Sequence, residues 1–349
     1  MNEVPGLDVA GLSAWLRSVH PELAAGTLTA AVIPGGKSNL TYRIDGARIP
    51  LVVRRPPLGH VLASAHDMRR EHRVISALRG SAVPVPPAVD IVDDTVDAGI
   101  TGTPFFVMAF VEGQVLARPR QNAPFTADAL RSMSLKLAEI LAELHGVDVE
   151  RVGLDDFGRG NGFLERQLRT WRRQYDASRS RELPTLDRLQ ERLAEHLPES
   201  ARTTLVHGDY RLDNAIVAGG GESARIAAVL DWEMSTIGDP LVDLGMFGMY
   251  WNAGAMPGAS AALPSAVDPA AGYPSFDELV DAYSARAGIP VRALGWYGAF
   301  AAYKLGVIAE GIHYRYSHGE TVGAGFDRIG ALVEPIAGEG LRQLGAGRH

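Results

Sequence analysis

Apolar residues come in short alternating runs over the first hundred or so positions and at helical spacing over much of the remainder. Residues 28–33 (LTAAVI) and 40–44 (LTYRI) read as strands flanking a turn at 34–39, and 50–54 (PLVVR) as a third, ended by Pro56-Pro57. A helix is predicted over about 64–78, with Met68, Ile75 and Leu78 facing inward and Glu71 on that same stripe. After a proline-rich turn at 84–87, strands are expected at 88–92 and 104–111. Thr126 can then cap a helix whose buried face is Leu130, Met133, Leu137, Ile140 and Leu144. Further helices are expected at 163–178 and 185–197, and helices at roughly 277–287 and 291–316 close the chain. Strand-like runs at 203–206 and 225–230 each deliver a polar cluster at their C-terminal ends. Residues 252–275, rich in Ala, Gly, Pro and Ser, read as a long mobile loop. The pattern predicts an α+β fold with a β-rich lobe over 1–110, a mainly helical lobe over 111–349 and a hinge at about 109–113. A cleft between such lobes is a favoured ligand site.

Composition narrows the function class. With 349 residues the chain is long enough for two lobes with a substantial core. A net charge of −7 argues against nucleic-acid and anionic-membrane partners. The absence of cysteine excludes disulfides, thiolate metal sites and cysteine nucleophiles. No secretory leader is legible at 1–16 and no apolar run approaches a membrane span, so a cytoplasmic enzyme is expected. Of the 34 basic residues only Lys37, Lys136 and Lys304 are lysine, which limits the residues able to do a job usually given to lysine.

The segment His207-Gly208-Asp209-Tyr210-Arg211-Leu212-Asp213-Asn214, followed by Asp231-Trp232-Glu233, carries the clearest chemistry. Two carboxylates and an amide behind strand-like runs are oxygen ligands that suit Mg²⁺. Asp209 is placed to accept or orient a hydroxyl proton, Asn214 and Asp231 to hold the metal, and Glu233 to bind a second ion or its waters. Arg211 lies close enough to steady a transferring phosphoryl group. His207 reads as a buttress, Asp243 as an anchor for the loop backbone, Asp239 as a helix cap and His145 as structural. Arg54 and Glu71 form a second pair, a strand-borne cation held by a helix carboxylate and able to grip the α- and β-phosphates of ATP. The alternative is a surface ion pair among Arg69, Arg70, Glu71 and Arg73. Arg55 competes as the cation, but strand alternation points it the other way. Gly36-Lys37-Ser38 lacks the spacing and following helix of a Walker A loop. A glycine turn between strands still offers backbone N–H groups to phosphates, though it equally suits an ordinary hairpin.

Together these residues resemble the aminoglycoside phosphotransferase and choline kinase superfamily. His207-Gly-Asp209-x4-Asn214 is similar to its catalytic loop, Asp231-Trp-Glu233 to its metal motif, and Gly238-Asp239-Pro240-Leu241-x-Asp243-Leu244 to a further signature. Gly35-Gly36-x-Ser38-Asn39-x-Thr41-Tyr42 and Arg166-Gln167-x3-Trp171-x3-Tyr175 resemble the kinase-like domains related to those fused to acyl-CoA dehydrogenases. The resemblance implies a protein-kinase-like two-lobed fold with ATP in the inter-lobe cleft and Mg²⁺ required. It places Gly36, Ser38 and Asn39 at the phosphates, Met108 as gatekeeper, and the backbone of Ala109 and Val111 at the adenine. Where the superfamily usually has lysine in the third strand, this chain has Arg54, which puts the rate in question more than ATP binding. The expected activity is transfer of the γ-phosphoryl group to a hydroxyl of a small molecule, such as a hydroxyacyl or hydroxy acid metabolite. An aminoglycoside or amino-alcohol kinase, a nucleotide-binding pseudokinase and a metal-dependent hydrolase are the alternatives. Trp171, Trp251, Tyr303, Glu310, His313 and Tyr314 are candidate walls of the acceptor pocket. Oligomeric state is not legible.

Overall fold

The computed structural model describes residues 4–34, 39–58, 67–94, 99–200, 202–256, 265–291, 293–319 and 326–346. The chain divides into two compact units, one of Met1–Glu112 with Ala227–Glu233, the other of Gly113–Ile226 with Met234–His349.

In the first unit, β1 (Thr29–Val32), β2 (Leu40–Asp45), β3 (Leu51–Arg55), β4 (Ala88–Val92) and β5 (Phe105–Ala109) form one antiparallel sheet of order β1-β2-β3-β5-β4. Alternation along β2, β3 and β5 sends Tyr42, Ile44, Leu51, Val53, Phe105 and Val107 into one cluster with Leu12 and Leu16 of helix α1 (Val9–Val19). No element is predicted for that N-terminal stretch; Asp8 caps the helix by accepting from the Ala10 N–H at 2.9 Å. Each large apolar side chain buried this way contributes roughly 1.5–3 kcal/mol. On β3, Arg54 pairs in register with Phe106 and Thr41, and the next residue, Arg55, points oppositely. Its guanidinium is buried against the Gly6 and Thr101 carbonyls at 2.8 and 3.0 Å. Helix α2 (Met68–Ala77) starts at the Asp67 cap, later than the predicted 64, and buries Met68, Glu71, Val74 and Ile75. The rest of that predicted start lies outside the described residues.

The second unit is mainly helical, comprising α3 (Ala127–His145), α4 (Phe163–Ser178), α5 (Pro184–Glu195), α6 (Leu241–Trp251), α7 (Phe276–Ala287), α8 (Gly295–Ser317) and α9 (Val333–Ala346). Thr126 caps α3 through the Ala129 N–H. Helix α9 corrects the expectation that α8 closes the chain: Val333, Ile336, Ala337 and Leu344 join α8, α4 and α5 in one apolar cluster. Helix α8 is buried nearly all round over 296–307, which places it at the centre of this unit. Short strands β6 (Gln114–Val115), β7 (Thr204–Val206), β8 (Ala215–Ala218), β9 (Arg225–Val229) and β10 (Thr236–Gly238) complete the chain, β6 pairing with β8 and β7 with β10. The predicted loop at 252–275 is not uniformly loose. Ala266 and Tyr273 are buried and both bond Asn122, which donates to the Ala266 carbonyl at 2.8 Å and accepts from the Tyr273 hydroxyl at 2.9 Å. Its residues 257–264 lie outside the described ones.

Candidate active site

In the first unit a single guanidinium stands among three carboxylates. Arg54 Nη2 donates to Asp231 Oδ1 at 2.6 Å and lies 3.9 Å from Glu233 Oε2, while Nε is 3.0 Å from Glu71 Oε2. The Arg54–Glu71 contact is an ion pair without hydrogen-bond geometry, and both atoms are buried with no hydrogen-bond partner among the described residues. Glu71 is 1% exposed, so the surface pairing with Arg69, Arg70 and Arg73 does not form around it. Burial pushes the Glu71 carboxyl up to about 7; Arg54 opposes this, Asp231 and Glu233 add to it, and the Trp232 backbone N–H opposes it. For Arg54, burial disfavours the charge, but Glu71, Asp231 and Glu233 outweigh it and hold the group above its ordinary value.

Local sequence explains how the 231–233 corner is held. Asp231 has φ 66°, a left-handed conformation that costs a non-glycine residue about 1–2 kcal/mol. The neighbouring Trp232 is fully buried and donates from Nε1 to the Val229 carbonyl at 3.0 Å, which clamps the turn. Asn39 Nδ2 donates to Glu233 Oε2 at 2.9 Å, and its buried Oδ1 has no hydrogen-bond partner among the described residues. Gly36, Lys37 and Ser38 lie outside the described residues. Met108 is buried on β5, the Ala109 N–H donates to the Pro87 carbonyl at 2.8 Å, and Val111 is half-buried beyond the strand.

In the second unit the 207–214 loop is gripped from below. Asp243, fully buried on α6, accepts from the His207 N–H and the Gly208 N–H, both at 2.7 Å. His145 joins the same carboxylate at 3.1 Å and the Tyr283 hydroxyl at 2.8 Å. Burial would raise the Asp243 carboxyl, but His145 and the His207 side chain and backbone N–H together hold it below the usual carboxylate range. Gly208 has φ 84°, and a Cβ there would sit 2.6 Å from the Met234 carbonyl oxygen, so the turn needs glycine. The Asp209 N–H donates to His207 Nδ1 at 3.3 Å. Asn214 Nδ2 donates to both the Asp209 backbone oxygen at 2.9 Å and its carboxylate at 3.1 Å, leaving Asn214 Oδ1 as an oxygen donor for a hard cation. Arg211 is bidentate to Asp213 through Nε and Nη2 and lies 4.2 Å over the Tyr250 ring.

Sequence reasoning gave Lys304 no role at the loop. On α8 it is 7% exposed, donates to the Gly208 carbonyl at 2.6 Å and lies 5.3 Å from the Trp171 ring. The available signal was one of three lysines set within an apolar helix. Three candidate pocket walls are committed elsewhere: Trp251 to the Pro274 carbonyl, Tyr303 to Gln190, and Glu310 to Ser180 and Arg181.

A family profile described as "Phosphotransferase enzyme family" matches residues 29–279. The chain belongs to the phosphotransferase enzyme family. Acyl-CoA dehydrogenase family member 10 of Mus musculus is 34% identical over 338 residues, covering 93% of this chain but 30% of that protein. Acyl-CoA dehydrogenase family member 11 of Gallus gallus is 33% identical over 333 residues, covering 92% of this chain and 41% of its own. The chain thus spans less than half the length of these curated relatives. A crystal structure from Ralstonia eutropha JMP134, assigned as an aminoglycoside phosphotransferase, is 31% identical with a TM-score of 0.81, over 98% of this chain and 100% of that one. A ternary complex of an aminoglycoside phosphotransferase with AMP-PNP and hygromycin B gives a TM-score of 0.60 at 16% identity, over 95% and 98% of the two chains. The chain therefore has the α+β, protein-kinase-like fold of the aminoglycoside enzymes. Among its described residues no three His, Asp or Glu side chains form a metal cluster of their own, and no helix is long and apolar enough to cross a membrane.

Proposed function

We propose that the protein transfers the γ-phosphoryl group of ATP, with Mg²⁺, to a hydroxyl of a small molecule, and that the acceptor is a hydroxyacyl or hydroxy acid metabolite. The observation that carries this reading is the Asp209–Asn214 pair, a carboxylate and an amide bonded at 3.1 Å on a loop fixed by Asp243. A carboxylate so held can take a hydroxyl proton, and the amide oxygen beside it can face a cation. Mg·ATP supplies the electrophilic phosphoryl group and neutralises its charge. The chain's own residues do the rest. Asp209 receives the acceptor's proton, Asn214 and Asp231 offer metal oxygens, and Glu233 supports the cation or its waters. Arg211, held by Asp213 and lying over the Tyr250 ring, steadies the transferred group. Arg54, oriented by Glu71, grips the phosphates, with Gly36, Ser38 and Asn39 covering them. Met108 backs the adenine; with its N–H spent on Pro87, Ala109 offers only its carbonyl, and Val111 offers its N–H. The lobes assigned are 1–110 and 111–349, and the compartment is the cytoplasm.

The acceptor class is supported by the matching segment in acyl-CoA dehydrogenase family members, while the likeness to an assigned aminoglycoside enzyme keeps aminoglycosides and amino alcohols as a second class. Coupled ADP release over hydroxyacyl-CoAs, hydroxy acids, amino alcohols and aminoglycosides tests both. Acceptor-dependent ADP strongest with the hydroxyacyl group is expected. Nucleotide binding without turnover on any acceptor would point to a pseudokinase, and activity without nucleotide to a hydrolase.

A further inference from the structure

The peptide joining Gly208 to Asp209 is held at both of its polar ends. Its oxygen accepts from Lys304 Nζ at 2.6 Å and its N–H donates to His207 Nδ1 at 3.3 Å. Beneath it lies a small cavity of about 50 Å³, bordered by Gly208, Lys304, Gln167, Phe163, Met246 and Phe300. The loop is therefore not seated on continuous apolar packing at this point, and hydrogen bonds must set its height. Asp243 grips the Gly208 N–H, leaving the carbonyl to Lys304.

An ammonium is an expensive way to hold one carbonyl. Taking such a charge out of water costs several kcal/mol, and a methionine of similar length would fill the same space without it. Among the described residues no carboxylate lies within ion-pair distance of Lys304 Nζ, and its other contact is the Trp171 ring at 5.3 Å. Burial pushes the Lys304 pKa below the ordinary lysine range, while Asp209 and Asp243 pull it up through space. Those carboxylates, one from the catalytic loop and one from α6, are the charges that face it; α4 contributes the uncharged Trp171 and Gln167. Arg211, nearer in sequence to the base, is paired with Asp213.

We infer that Lys304 is a positioning residue for the general base, tying α8 to the Gly208 carbonyl and so fixing the peptide that carries Asp209. The inference rests on the phosphotransfer reading above. The charged head fixes the loop's height through the Gly208 carbonyl, and an uncharged side chain of equal size does not.

The test compares Lys304→Met and Lys304→Arg in the full chain. Lys304→Met is expected to lower kcat by about 30–100-fold with the KM for Mg·ATP changed less than about threefold. Lys304→Arg restores turnover to within about fivefold of the parent and moves the alkaline limb of the kcat profile to higher pH, because arginine keeps its proton. Full turnover in Lys304→Met, or an alkaline limb unmoved in Lys304→Arg, overturns the inference. Should Lys304→Met fail to fold, the limb in Lys304→Arg decides. If the parent protein releases no ADP with any acceptor, phosphotransfer is what fails. Amide exchange at Asp209 and Tyr210 without substrate then still reads the tether: faster exchange there in Lys304→Met with α3 unchanged and Lys304→Arg like the parent upholds it, and exchange in Lys304→Met equal to the parent's refutes it.

Discussion

The two polar constellations, one in each unit, are built on opposite plans. Around Asp243 every group has a partner: two backbone N–H groups, the His145 ring and, beyond it, the Tyr283 hydroxyl. Around Arg54 one guanidinium serves Glu71, Asp231 and Glu233, and the buried Arg54 Nε, Glu71 Oε2 and Asn39 Oδ1 have no hydrogen bonds among the described residues. A satisfied network rigidifies, and a partly satisfied one stores unmet electrostatic demand. The contrast separates two jobs. The loop carrying Asp209 is set in advance, whereas the Arg54 cluster carries excess negative charge suited to a cation and a polyphosphate.

The largest expected effect breaks the Arg54 side. Asp231→Ala should abolish metal-dependent nucleotide binding, a loss of at least about 100-fold (~2.7 kcal/mol) measurable by calorimetry; unchanged Mg·ATP affinity would remove Asp231 from the metal role. On the other side, Asp243→Ala should cost roughly 3 kcal/mol or more of unfolding free energy in a denaturant titration, because two buried N–H groups and His145 lose their acceptor. A loss below about 1 kcal/mol would mean the clamp is dispensable. Gly208→Ala, with positive φ and the Met234 carbonyl in the way, should cost about 1–3 kcal/mol and lower kcat with it. Stability equal to the parent's would show that the turn can shift.

The smallest effect is one of pH. Burial raises the folded Glu71 carboxyl to about 7 from an ordinary 4.5, so the unfolded chain releases that proton first. The protonated form's stabilising share is therefore present at low pH and lost as pH rises from about 4.5 through about 7. Glu71→Gln, which mimics the protonated state, should gain on the parent by on the order of 1 kcal/mol between pH 5 and pH 8. A constant difference across that range would mean Glu71 is ionised throughout.

Local patterns made much of this legible. Strand alternation separated Arg54 from Arg55, and helical phase put Glu71 on the buried face of α2. The His207–Asn214 spacing marked the loop because its parts are adjacent in sequence. What was illegible depends on long-range packing. Nothing local ties Lys304 to Gly208 or His145 to Asp243, which meet across 96 and 98 residues. The pairing of Arg211 with Asp213 is not legible either, because it needs the 3-10 turn of Leu212–Asn214, which brings the two side chains side by side. Helix α9 is not legible because its apolar positions are interrupted by glycines, and it is the α8 cluster that gives it a face to bury.

The central claim is that Asp209 serves the chemistry and the Arg54 cluster serves the nucleotide. Measuring kcat and Mg·ATP affinity side by side in Asp209→Asn tests it most directly. The account predicts turnover reduced by about 10²–10⁴-fold with nucleotide affinity within about threefold of the parent. Turnover retained, or turnover and Mg·ATP binding lost together in a folded protein, would contradict it.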